Sequence, residues 1–126
     1  MGERAAAADA IRVVPANEAS WEELQAVFGG RGEPHRCQCQ WFKVPGSRWY
    51  GIPVEERARR LEEQAGCGNP GAPTSGLVAY ISDEPVGWCA VEPRPAYPRL
   101  LGHRVPWAGR AEDRDDDGVW AVSCFV

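Results

Sequence analysis

The sequence lacks the long apolar run that a membrane-spanning helix needs. A bilayer span takes about 20 consecutive apolar residues, and no apolar run in this chain approaches that length. Residues 1–10 contain a small-residue run, but Glu3 and Asp9 flank it and no longer apolar segment of the signal-peptide type is present. We therefore expect a cytoplasmic protein, without a membrane partner, whose residues 1–10 form a flexible N-terminus.

Clusters of basic residues are also missing. Lysine occurs once, at Lys43, the arginines are scattered along the chain, and the net charge is −4. Nucleic-acid binders draw most of their affinity from clustered Lys and Arg against phosphates. The charge pattern argues against a nucleic-acid partner.

The cysteines suit neither a disulfide framework nor a zinc ribbon, because there are five of them and no pair has the knuckle-type Cys-x₂-Cys spacing. His35, Cys37 and Cys39 do offer three ligands within five residues, so a small zinc- or cysteine-dependent protein is one alternative. A fourth ligand has no evident identity. We predict reduced thiols and no metal site.

Hydrophobic patterning predicts an α+β domain. The apolar, β-branched residues 11–14 read as a strand that ends at Pro15. Ser20 and Glu23 have the spacing of a capping box, which predicts the start of an amphipathic helix. The helix is predicted to end at Gly29. The apolar residues within 29–52 recur at neither helical nor strand spacing, so this segment is predicted to be a structured loop.

A second helix is predicted over residues 53–64, followed by a hairpin of residues 76–81 and 86–91 around a turn. Pro93 begins a long irregular connection, and residues 118–126 form a last apolar strand, on which Cys124 is predicted to be buried, as is Cys89 in the hairpin. The prediction is a mostly antiparallel sheet of about four strands with two or more helices.

Several clusters, taken in order, resemble the GNAT superfamily of acyl-CoA-dependent N-acetyltransferases. The hairpin, with its Pro85-Val86-Gly87 turn exit, resembles the second and third strands of those enzymes. The Trp120 to Phe125 strand resembles the fourth strand of one bacterial subgroup, which ends in Cys-Phe. The Cys37-x-Cys39 cluster followed by aromatic residues resembles the same subgroup. The similarity covers residues 11–126 and implies the N-terminal half of the domain, without the pyrophosphate loop.

The resemblance implies transfer of an acetyl group from acetyl-CoA to a primary amine on a small molecule or peptide. In such enzymes the pantetheine arm bonds to fourth-strand backbone, which here implies cofactor contacts at Cys124, Phe125 and Val126. The chain alone is expected to be inactive, because the loop that holds the pyrophosphate is missing from it.

Four side chains are weaker candidates for a site. Glu92, where the third strand meets Pro93, is the one carboxylate placed to act as a base, although a solvated strand end is its commoner role. Trp41, Phe42 and Trp88 are candidates for a substrate pocket. A further alternative is a non-catalytic interaction module whose residues 119–126 pair with another chain or a second copy.

Overall fold

A computed structural model describes residues 10–126 and confirms the α+β class. Its sheet has four antiparallel strands in the order β1-β2-β3-β4. The bounds are Ile11–Pro15 for β1, Gly76–Ile81 for β2, Glu84–Pro93 for β3 and Trp120–Phe125 for β4. The N-terminus predicted to be flexible lies, apart from Ala10, outside the described residues.

The α-helices of residues 10–126 are α1 (Trp21–Phe28), α2 (Gly32–Cys37), α3 (Val54–Ala65) and α4 (Pro98–Gly102). The two longer ones match the predicted helices. Helix α2 corrects the prediction of a loop over residues 29–52, and α4 lies in the connection predicted to be irregular. Both are too short for a hydrophobic period to show. No helix in this part of the chain is long and apolar enough to cross a bilayer.

Helix α1 begins with the predicted capping box. The Ser20 hydroxyl accepts a hydrogen bond from the Glu23 amide at 3.0 Å, and the Ser20 amide donates to the Glu23 carboxylate at 2.9 Å. Leu24 and Phe28 are buried on the face toward the sheet. Two of the orphan donors at the helix start are therefore satisfied, and the buried face fixes α1 against β3.

The hairpin of β2 and β3 is the centre of the sheet. Ile81 pairs with Glu84, so the connection is a two-residue turn, and Ser82 has a φ of 55°. At the other end of β2, a Cβ on Gly76 would lie 2.3 Å from the Cys89 carbonyl oxygen and 2.5 Å from the Trp88 ring. Only glycine fits there without moving β3.

The hydrophobic core lies on one side of the sheet only. Side chains from α1, α3, β2 and β3 form it, among them Leu24, Phe28, Leu61, Val78 and Trp88. Side chains on the other side, which we call the open sheet face, are exposed: Ile11 67%, Val13 55%, Trp120 61%, Val122 53% and Phe125 77%. An apolar face of this extent normally marks an interaction surface.

Cys89 and Cys124 are half-buried, not buried as predicted. Cys89 belongs to the open sheet face, where it pairs with Phe125. Cys124 faces the core but stands on β4, which is an edge strand because only β3 pairs with it. An apolar strand sequence predicted burial that the edge position does not provide.

Candidate functional site

A cavity of about 230 Å³ lies between β4 and the segment that follows α2. Its lining is apolar, with aromatic rings, thiols and one hydroxyl, and consists of Cys37, Cys39, Trp41, Phe42, Ser123 and Cys124. Two of the predicted pocket residues, Trp41 and Phe42, therefore line one cavity. Trp88 does not line it: its side chain is 3% exposed and packs 6.1 Å from the Phe28 ring.

The segment from Cys37 to Gln40 has an unusual backbone. Gln38 and Cys39 both have positive φ angles, 52° and 56°, a conformation that costs non-glycine residues about 1–3 kcal/mol each. It persists only where the surroundings determine it. The strained pair lies directly at the cavity, since Cys39 is one of the lining residues.

Two buried glutamines hold this backbone in place. The Gln38 side chain accepts a hydrogen bond from Gln25 at 2.8 Å and donates to the His35 carbonyl at 2.9 Å. The Gln40 side-chain amide donates to the Gln38 backbone carbonyl at 3.1 Å. It also exchanges two hydrogen bonds with the Gln64 side chain, at 2.8 and 3.0 Å. Because both amides are essentially inaccessible to water, losing a partner would leave a polar group unsatisfied.

Arg99 of α4 holds the next part of the loop. Its guanidinium lies 3.6 Å from the centre of a Trp41 ring and donates to the Trp41 carbonyl at 2.7 Å. It also donates to the carbonyls of Val44 and Gly46. Trp41 meets Trp49 edge to face at 5.4 Å. One side chain thus fixes both the backbone of the loop and the aromatic wall of the cavity.

Cys39 connects the core to β4. The Trp88 indole N–H donates to the Cys39 Sγ at 3.0 Å. The Cys39 and Cys124 thiols are also neighbours at the cavity, and their hydrogen-bonding interaction raises the pKa of Cys39, together with burial, and lowers the pKa of Cys124. Cys124 is therefore the thiol of the pair that ionises first, with Cys39 retaining the proton and donating it to the thiolate.

A β-bulge shapes β4 at the cavity. Ala90 pairs with Cys124 and Val91 pairs with Val122, so Ser123 has no partner on β3. Bulges of this kind interrupt pairing and redirect a side chain. Here the extra residue is one that lines the cavity.

The three predicted cofactor contacts differ in what their backbone can offer. Val126 and Trp88 exchange both hydrogen bonds at 3.0 Å, so the Val126 amide is already satisfied within the sheet. Hydrogen-bonded pairs alternate with non-hydrogen-bonded pairs along an antiparallel ladder. The Phe125 N–H and C=O, opposite Cys89, therefore point to the free edge, whereas those of Cys124 point toward β3.

Glu92 forms an ion pair with Lys43, and both side chains are mostly buried, with 19% and 14% exposure. The Lys43 ammonium also lies 5.3 Å from the centre of the Tyr97 ring. The carboxylate is therefore a partner of the loop rather than a free strand-end group. A pair buried to this degree ties the loop to β3, because removing one partner leaves the other charge uncompensated.

Tyr97 is fully buried, and its hydroxyl lacks a partner with hydrogen-bond geometry. Burial raises the pKa of Tyr97 to about 12, and the nearby Ser123 hydroxyl lowers the pKa by a smaller amount. Buried polar atoms without partners are uncommon in folded proteins. The Tyr97 hydroxyl lies next to Ser123, behind the lining of the cavity.

The described residues do not form the ligand cluster that the zinc alternative requires. Across residues 10–126, no group of three or more His, Cys, Asp or Glu side chains is placed to hold a metal ion. Cys39 instead faces Trp88 and Cys124, as described above. The spacing of His35, Cys37 and Cys39 in sequence does not bring the three together as a site.

The sequence alone did not point to Ser123, Tyr97 or Arg99 as site residues, and it predicted Cys124 only as a buried thiol. A signal for two of these residues was present. Ser123 interrupts an otherwise apolar strand, and Arg99 lies between prolines and leucines in a segment with little other charge. Comparison of the chain with protein-family models, with curated proteins and with solved structures found no match.

Proposed function

We propose that this chain forms part of an N-acetyltransferase of the GNAT type, which transfers an acetyl group from acetyl-CoA to a primary amine. The observation that carries the proposal is the free edge of β4. There the outward N–H of Phe125 lies next to the bulged Ser123 and the apolar cavity. An extended ligand can pair with such an edge while its end group lies at the mouth of the cavity.

The β4 edge suits the pantetheine arm of acetyl-CoA, which is an extended chain containing amide groups. Phe125 offers its outward C=O to an amide N–H of the arm, in the manner of an added strand, and its outward N–H to the thioester carbonyl at the end of the arm. The Val126 amide is not a second donor, because it bonds to Trp88. We therefore assign cofactor contact to Phe125 and a shaping role to the bulge at Ser123.

In this proposal acetyl-CoA supplies an activated thioester carbonyl. The Phe125 N–H is the donor that stabilises negative charge on the carbonyl oxygen during amine attack. Glu92 takes the amine proton, directly or through a water molecule, and Lys43 fixes the position of its carboxylate. The tetrahedral adduct then collapses with cleavage of the C–S bond, and the CoA thiolate leaves and takes up the proton that Glu92 carries. The amine acceptor occupies the side of β4 that faces the cavity.

The open sheet face and the free β4 edge also support the proposal that cofactor binding requires a second layer of polypeptide. Residues 10–126 present one wall for the cofactor, and exposed apolar side chains such as Val122 and Phe125 stand where a covering element would pack. We expect the chain alone to bind acetyl-CoA weakly, with a Kd on the order of 1 mM or higher. Micromolar binding in calorimetry would contradict the requirement for a second layer.

A titration followed by ¹H–¹⁵N NMR tests the cofactor assignment. S-acetylpantetheine at millimolar concentration is expected to shift the amide signals of Ser123 and Phe125. Adenosine 3′,5′-bisphosphate, which has the nucleotide part of the cofactor but no pantetheine arm, is the matched control and should leave both unchanged. If neither compound shifts β4, or if both do so equally, the assignment is wrong.

A second candidate function is an interaction module that completes its sheet with a partner chain or a second copy. The exposed apolar side chains of β4 favour it, because an unprotected apolar edge pairs readily with other chains. Light scattering over a concentration series should then show association that Val122→Lys abolishes. Arg12→Lys on the opposite edge is the control. A monomer at all concentrations would count against this function.

A further inference from the structure

The cavity next to β4 has a size and a lining that define a class of ligand. Its volume is about 230 Å³. Drug-sized ligands occupy sites of about 300–1,000 Å³, whereas an apolar cavity of about 150 Å³ holds one benzene molecule. The space therefore suits a single ring, or a branched aliphatic group, with one or two further atoms.

The lining excludes charged ligand groups. None of the six lining residues is Asp, Glu, Lys, Arg or His, and the walls are the rings of Trp41 and Phe42 and the thiols of three cysteines. Moving an ionic group into such surroundings without a paired charge costs several kcal/mol. The nearby charges are already engaged, Glu92 with Lys43 and Arg99 with backbone carbonyls.

One corner of the cavity is polar. Ser123 contributes the only hydroxyl of the lining, and the Tyr97 side chain lies behind it, outside the lining. The Ser123 hydroxyl can exchange one hydrogen bond with a ligand atom in an otherwise apolar cavity. The polar corner is also close to Phe125, two residues further along β4.

We propose that the cavity binds the uncharged end of the amine acceptor, an aromatic ring or branched aliphatic group with one hydrogen-bonding atom placed at the Ser123 hydroxyl. Its role as the acceptor's binding pocket rests on the proposed acetyltransferase function. The binding of such a group to the cavity does not depend on that function. The class of acceptor is therefore an aryl or branched alkyl amine, rather than a polyamine or a carboxylate-bearing amine.

The test is a ¹H–¹⁵N NMR titration of the chain with benzyl alcohol and with benzoate, which share a ring and differ in charge. Benzyl alcohol is expected to shift the Trp88 indole N–H, which reports on Cys39, and the amide of Ser123. Benzoate should bind at least tenfold more weakly. Equal binding of the two, or no saturable shift with benzyl alcohol, would overturn the inference.

Two variants locate the site. Cys37→Phe fills the cavity and should abolish the shifts, whereas Cys89→Phe on the open sheet face should leave them intact. Ser123→Ala keeps the space but removes the hydroxyl, and should weaken benzyl alcohol about fivefold while leaving toluene unaffected. If Cys37→Phe does not fold, the Ser123→Ala comparison decides: equal weakening of both probes overturns the proposed contact.

The same measurements separate this inference from the proposed function. Binding of benzyl alcohol in the cavity, with no effect of S-acetylpantetheine on Phe125, retains the ligand class and removes the acceptor role. The opposite result, a response at Phe125 without cavity binding, retains the acetyltransferase proposal and overturns the ligand class.

Discussion

Cys39, in the loop after α2, and Cys124, on the edge strand β4, line the same cavity. Their hydrogen-bonding interaction lowers the pKa of Cys124 and raises that of Cys39, so the two thiols have unequal reactivity. Since thiolates are the reactive form, Cys124 is expected to react with alkylating reagents before Cys39.

The first prediction concerns the pH profile of Cys124. Cys39→Ala removes the donor that stabilises the Cys124 thiolate, so the pKa of Cys124 should rise. The rate of modification by iodoacetamide at Cys124, followed by peptide mass spectrometry, should then reach its plateau at a higher pH. Cys67→Ala, outside the cavity, serves as the control. An unchanged profile in Cys39→Ala would show that the thiols do not interact.

The second prediction concerns the capping box of α1. Ser20→Ala removes the bond to the Glu23 amide and should lower the free energy of unfolding by about 1 kcal/mol. The pKa of Glu23 is lowered, chiefly by its bond from the Ser20 amide. Its stabilising contribution is therefore complete above the ordinary value of 4.5 and is lost as the pH falls through the lower, folded-state pKa.

Urea denaturation at several pH values checks both parts. The difference in stability between the unmodified chain and Glu23→Gln should be present at pH 7 and shrink as the pH falls below 4.5. A difference that stays constant with pH would contradict the charged hydrogen bond. Glu22→Gln, on the same helical turn, is the matched control.

The third prediction concerns Gly76. Gly76→Ala places a Cβ at 2.3 Å from the Cys89 carbonyl, so β2 and β3 must separate or shift. Strain of this kind typically costs about 1–3 kcal/mol. Thermal unfolding should show a clear decrease in Tm. Gly51→Ala, where no atom lies within 4 Å of the added carbon, should change the Tm little, and a similar decrease there would point to a general effect of alanine.

The fourth prediction concerns the buried glutamines. Gln40→Ala leaves the Gln38 carbonyl and the Gln64 side chain without their donor, so a loss of about 1–3 kcal/mol is expected in urea denaturation. Gln64→Ala should also be destabilising, because it leaves the buried Gln40 side-chain oxygen without its donor. A negligible loss in both variants would mean that burial of the Gln40 amide does not determine its contribution.

Local signals in the sequence were enough to predict α1 and the hairpin. The Ser20 and Glu23 capping box and the two apolar runs around a turn each act within a few residues, and both elements are present. Helix α2 was missed because it has six residues, contains Pro34 and buries no side chain completely. No hydrophobic period can arise from such a segment.

The candidate site was only partly predictable, because its geometry depends on contacts between distant residues. Trp41 and Phe42 were identified from their aromatic character, but their wall depends on Arg99. The Val126 amide was expected to be free, and strand register commits it to Trp88. Register and bulges follow from tertiary pairing, which the sequence of one strand does not reveal. Acetyl-CoA, the amine acceptor and the catalytic role of Glu92 remain predictions.

The hydrogen bonds from Arg99 to the loop have a consequence for the order of folding. The carbonyls of Trp41, Val44 and Gly46 depend on a residue more than fifty positions later in the chain. During synthesis, α1 and its cap can form early, but these three carbonyls have no partner from Arg99 until that residue has left the ribosome. The cavity is then completed last, when β4 joins β3. Mutations at Arg99 are therefore expected to slow the final folding step rather than the formation of α1.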